Sequence, residues 1–128
     1  MILETIFSKN EIKKFMINSG DRNPIHHDVK YASRQIFGNT VIHGSLVVER
    51  FIDYYFKKKN YEIKEFNCSF TKPVFVNEKI KYIYKDSKNS IFCTVFNNMK
   101  EIVAIIRVVF FLNKSQYYSN LNYINQFL

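Results

Sequence analysis

The chain has 128 residues, 47% of them hydrophobic, and carries a formal charge of +8 at pH 7. That length and apolar share suit one globular domain with a sizeable core, and no apolar run approaches the roughly 20 residues needed to cross a bilayer. The charge points to an anionic partner, but no helix-turn-helix, zinc-finger or ribonucleoprotein pattern accompanies it, so nucleic acid is not expected. The N-terminal stretch has acids among its lysines and no small-residue cleavage site, unlike a signal peptide. Cys68 and Cys93 match no metal-ligand spacing and read as reduced core thiols. A cytoplasmic protein that does not enter membranes is expected.

Residues 1–7 alternate weakly, as a short strand would. Ser8 and Glu11 form the S-x-x-E capping pattern of a helix with Ile12, Phe15 and Met16 on one face, and Gly20 is placed to end it in a left-handed turn. Asn23-Pro24 imposes a turn. A second short helix is expected from Asp28, a good N-cap, through Ala32 to Ile36, with Gly38 ending it. The longest helical signal runs from about Ile42 to Lys59. Its polar residues Glu49, Arg50, Asp53 and Lys57 share a narrow stripe, so the helix must be enclosed on several sides.

From Tyr61 the period becomes alternating. One strand carries Phe66, Cys68 and Phe70 and is interrupted by Pro73. A second carries Ile80, Tyr82 and Tyr84, and a third carries Ile91, Cys93 and Val95. Asn97-Asn98 is expected to supply the positive φ of a tight hairpin. The last strand, Ile102 to Leu112, is nearly all apolar, which predicts a central strand covered on both faces. Short connections predict an antiparallel meander wrapped round the long helix, an α+β domain over residues 1–112. Residues 113–128 form a C-terminal extension, with Tyr117, Leu121, Ile124 and Leu128 at the spacing of a short amphipathic helix.

Chemistry concentrates between Ser19 and Leu46, which hold all three glycines, all three histidines and one of the two prolines. A carboxylate (Asp21) and an imidazole (His26), five positions apart across the Asn-Pro turn, can face one point and hold a water whose protons they move. The same spacing also fits a turn cap and a histidine bonded to a carbonyl. Gly44 follows His43 where the long helix begins. The first amides of a helix lack intrahelical partners, and a glycine lets a carbonyl oxygen approach, as an oxyanion hole requires. A tight turn would need a glycine there as well. A metal site built from His26, His27 and His43, with Asp28 adjacent, is not expected, because adjacent histidines diverge and no zinc spacing is present. His27 reads as a partly exposed loop residue.

The run FMINSGDRNPIHHDVKYA, Phe15 to Ala32, resembles the signature of the MaoC-like dehydratases, the (R)-specific enoyl-CoA hydratases or hydratase 2 family. FGNTVIHGSL, residues 37–46, is similar to that family's approach to its central helix, and SFTKPVFV, residues 69–76, to its sheet motif. The resemblance implies a single hotdog domain, usually in a homodimer. It also implies hydration of a 2-enoyl thioester, or dehydration of a (3R)-hydroxyacyl thioester, with the acyl group on CoA or acyl carrier protein and no cofactor or metal. By position, Asp21 and His26 become the catalytic pair, the Gly44 amide binds the thioester carbonyl, and Asn23 supports the loop. The chain departs from the pattern at Asn77-Glu78, where Gly-Asp is frequent, and at Ser45, where Met is frequent. A hotdog thioesterase using Glu49 or Asp53, and a non-catalytic acyl-thioester-binding subunit, are the alternative readings. The intact Asp21–His26 motif argues against both.

Overall fold

The computed structural model describes residues 1–57, 59, 61–112 and 124. Strand β1 (Ile2–Ile6) leads through the fully buried Phe7 into helix α1 (Lys9–Ser19). The expected capping box is formed: the Glu11 amide donates to Ser8 Oγ at 3.2 Å and the Ser8 amide to Glu11 Oε1 at 3.4 Å. Gly20 closes the helix at φ 77°, its amide donating to the Met16 carbonyl. A short 3-10 turn (Pro24–His26) follows, then helix α2 (Val29–Ala32), capped by Asp28. Helix α2 stops four residues before the expected Ile36. Ile36 is 91% exposed, so it has no apolar contact to hold another turn.

Helix α3 (Gly44–Phe56) is shorter at both ends than the expected Ile42–Lys59. Ile42 cannot be helical because its amide donates to the Val74 carbonyl at 2.7 Å, next to an isolated bridge between Val41 and Phe75. Seven of the thirteen residues of α3 are buried, as a helix apolar round most of its circumference requires. Arg50 ties it to its neighbours, donating to Thr5 Oγ1, pairing with Glu11 and lying 4.4 Å over the Phe7 ring.

Strands β2 (Tyr61–Phe70), β3 (Lys79–Asp86), β4 (Ser90–Phe96) and β5 (Ile102–Leu112) join β1 in one antiparallel sheet of order β1-β3-β4-β5-β2. Only β3, β4 and β5 form a meander, so the expected simple meander is corrected. Strand β2 lies at the far edge, paired with β5. After β2 the chain therefore crosses back, and Thr71 fastens the start of the crossing by donating from its amide and hydroxyl to the Val103 and Ile102 carbonyls. The inner face carries Ile80, Tyr82, Cys93, Val95, Ile106 and Phe110, all buried in one core with α3.

Two further expectations change. β5 is interior but fully covered on one face only along most of its length: Val103, Ala104, Ile106, Val108 and Phe110 are buried, whereas on the other face Ile105 and Val109 are half-buried and Arg107 and Phe111 are exposed. At the β4–β5 turn the positive φ falls on Lys100 (63°), not on Asn97-Asn98. Asn97 instead uses its side-chain oxygen to accept from the Met99 and Glu101 amides, each at 3.0 Å, so the side chain does the turning. Cys93 is buried and Cys68 half-buried, and burial pushes both thiols up to about 12. The helix expected over Tyr117, Leu121 and Leu128 lies outside the described residues. Ile124 alone is described there, helical and buried in the core.

Candidate active site

The loop after α1 aims Asp21. Its Oδ1 accepts from the Asn23 amide at 3.3 Å, while Asn23 Oδ1 accepts from the Ile25 amide at 3.1 Å and caps the 3-10 turn that carries His26. Asn23 therefore shapes the loop between the two candidate catalytic residues. His26 Nδ1–H donates to the Val41 carbonyl at 2.7 Å. That bond leaves the Nε2 lone pair facing Asp21 Oδ2, 4.0 Å away. The carboxylate is half exposed and the imidazole 13% exposed. Such a gap is too long for a direct hydrogen bond and suits a water in contact with both groups.

A third side chain completes the cluster, and sequence reasoning gave it no catalytic part. His43, 1% exposed, donates from Nε2–H to the main-chain carbonyl of Asp21 at 3.2 Å and lies 3.9 Å from its carboxylate. Its ring stacks on His26 with centroids 3.7 Å apart, and Phe15 packs on it at 4.7 Å. The available signal was its place in the same window, one residue before Gly44. His27 points away, its Nε2–H donating to the Arg22 carbonyl, and Asp28 is occupied as the cap of α2.

One donor atom each from Asp21, His26 and His43 lies within 4.8 Å of the other two, so the donors that converge are not the His26–His27–His43 set weighed from sequence. A tetrahedral zinc with bonds near 2.0–2.1 Å needs donors about 3.3 Å apart. The observed 3.9 and 4.0 Å are wider, and His43 Nε2–H is already engaged.

Gly44 opens α3 immediately after His43, so its amide has no intrahelical partner. A Cβ there would sit 3.1 Å from two carbons of the Phe70 ring, a tight contact that glycine avoids. Gly44 and Phe70 line a cavity of about 280 Å³ with Phe37, Val74 and Lys72, the last paired with Glu101. His26 lines a separate cleft of about 120 Å³ with Ile12, Thr40 and Val76. Glu49 and Asp53, the carboxylates weighed for hydrolysis, lie five and nine residues beyond Gly44 on α3, about 7.5 and 13 Å along its axis.

Burial, and after it the neighbouring His26, hold the His43 pKa below its ordinary 6.5, with a weaker push from His27 and opposing pulls from the Asp21 carbonyl and carboxylate. The unfolded chain takes up this proton more readily than the native one. His43 therefore contributes fully to stability above pH 6.5, and the contribution is lost as pH falls from there toward the native value. His43→Gln is expected to flatten the decline of the urea midpoint below that pH. Equal slopes in both proteins would assign the titration to another group.

A family model described as MaoC like domain matches residues 3–105. The chain belongs to the MaoC-like domain family. No curated protein matches it. Among solved structures it is similar to an (R)-hydratase from A. caviae involved in PHA biosynthesis, at 21% identity, 88% coverage of this chain, 92% of that one and a TM-score of 0.75. It is also similar to the unliganded R-hydratase PhaJ1 from Pseudomonas aeruginosa, at 21% identity, 90% and 80% coverage and a TM-score of 0.73. The ChsH1-ChsH2 complex from Mycobacterium tuberculosis matches at 12% identity, 88% and 94% coverage and a TM-score of 0.72. At these identities the likeness is one of fold: a single α+β hotdog domain, its central helix wrapped by an antiparallel sheet. In this MaoC-like chain the turn after the Pro-Val motif is made with Asn77-Glu78. Asn77 adopts φ 62°, a region asparagine tolerates better than most residues.

Proposed function

We propose that this chain is a hydro-lyase that adds water to a 2-enoyl thioester, or removes it from a (3R)-hydroxyacyl thioester. The observation that carries the reading is the 4.0 Å separation of Asp21 Oδ2 and His26 Nε2, both free to accept, next to a residue that leads directly into the Gly44 amide. The likeness in fold to two (R)-hydratases supports it.

One water about 2.8 Å from each acceptor donates its two hydrogens to them and turns a lone pair toward C3. As the C3–O bond forms, electron density moves to the thioester oxygen, where the Gly44 amide receives it, a contact worth about 3 kcal/mol in the transition state. The pair accepts one proton from the water and returns one to C2 on the same face, so OH and H are both accounted for and the pair ends as it began. Dehydration runs the same steps in reverse.

The substrate is carried on CoA or acyl carrier protein, and both are anionic. The chain acts in the cytoplasm as a homodimer, whose second copy would wall the space between the separate clefts at His26 and Gly44. The test uses a short-chain enoyl-CoA. Loss of enoyl absorbance without free thiol supports hydration, whereas thiol release supports hydrolysis and rejects the reading. The same assay tests the charge of +8. kcat/KM is expected to fall as ionic strength rises, because steering of an anion is screened beyond about 10 Å at 0.1 M salt. A flat profile would remove any role for charge in substrate capture.

A further inference from the structure

We propose that His43 is a positioning residue that holds Asp21 and His26 in register for the bridging water. This rests on the hydration reading above and adds a third residue to its pair. Three contacts carry the inference. The Nε2–H bond to the Asp21 carbonyl anchors the main chain of a residue whose carboxylate is half exposed and which directly follows Gly20, the conformationally freest residue type. The stacked ring sets the plane of His26, whose other constraint is the Val41 carbonyl. Phe15 packs against the His43 ring as well, so aromatic contacts and the Nε2–H bond together fix its orientation.

The chemistry of the ring supports a role beyond filling space. A carbonyl accepts only from a protonated nitrogen, so neutral His43 is the Nε2–H tautomer. Its Nδ1 is then a buried acceptor without a partner among the described residues. A leucine or phenylalanine would fill the same space without that defect, so the retained Nε2–H is the useful part. Neutrality matters too. The groups facing the ring are Asp21, His26, Phe15 and, more distantly, His27. An imidazolium 3.9 Å from Asp21 Oδ2 would draw the carboxylate into an ion pair and away from the water.

The test compares His43→Leu with His43→Gln, whose amide nitrogen can replace the Nε2 donor. For hydration of a short-chain enoyl-CoA, His43→Leu is expected to lower kcat ~10- to 100-fold with KM within about twofold, the signature of lost alignment rather than lost binding. His43→Gln is expected to retain kcat within about threefold. A folded Leu variant with wild-type kcat, or a Gln variant as impaired as Leu, overturns the proposal. Nitrogen-15 NMR of the wild-type histidine rings gives a readout that does not require the Leu variant to fold: His43 is expected as the neutral Nε2–H tautomer, and an Nδ1–H tautomer overturns the proposal. Wild-type protein that hydrates no enoyl thioester rejects the hydration reading, and the positioning role with it. Wild-type hydration with an unaffected Leu variant rejects the positioning role alone.

Discussion

Asp21→Asn and His26→Ala are each expected to lower kcat for enoyl-thioester hydration by ~10²–10⁴-fold, the range for loss of a positioned acid–base group. The double variant should lose little more than the worse single one, because two groups that hold one water fail together. Neither change should disturb the fold. Asp21 stands half exposed on a loop, and an asparagine oxygen can still accept from the Asn23 amide. His26 is more enclosed and its ring also bonds the Val41 carbonyl, but the backbone bonds of its short 3-10 turn do not use the imidazole. The decisive comparison is kcat at matched thermal stability. Near-normal turnover by either single variant would show that the pair is not the catalytic machinery. Free thiol released by the wild type and lost on Asp53→Asn would point instead to a carboxylate that lies about 13 Å along the helix from Gly44.

Phe51→Ala is expected to cost about 3–5 kcal/mol of unfolding free energy, a large part of the ~5–15 kcal/mol a domain possesses. Phe51 is fully buried at the middle of α3. Its ring lies parallel to Tyr82 at 5.7 Å and meets the edge of Tyr84 at 5.3 Å, so it links the helix to β3 through aromatic contacts. Removing it leaves a cavity beneath residues that the sheet holds in place, which limits collapse. Ile17→Ala, at a residue 69% exposed, is the control and should change stability by less than about 0.5 kcal/mol. Urea midpoints of the three proteins test this. A Phe51→Ala shift no larger than the control would mean that the sheet does not close on the helix as described.

Much of the fold and part of the site are legible in the order of residues because they depend on neighbours along the chain. The Ser8–Glu11 box, the left-handed Gly20, the Asp28 cap and the alternation of β3 and β4 involve groups at most a few positions apart. Asp21 and His26 share that property, since a proline turn confines five residues to a small volume. The crowding of glycine and histidine into residues 19–46 marks the region in the sequence itself.

What the sequence left open depends on partners distant in the chain. An apolar run such as β5 says that it is buried, but not on how many faces. That was decided by α3 packing on one side while Arg107 and Phe111 stayed exposed on the other. Alternation gives each strand an inner face but not a neighbour, so the move of β2 to the far edge beside β5 came from the crossing after Phe70. His43 follows the same logic. It stands 22 residues from Asp21, and only the pairing of residues 41–42 with 74–75, which holds the approach to α3 in place, brings its ring onto His26 and its Nε2–H onto the Asp21 carbonyl. Periodicity and capping fix local geometry because their energies act within a turn or two; the third member of the cluster was fixed by contacts that exist only once the chain has closed on itself.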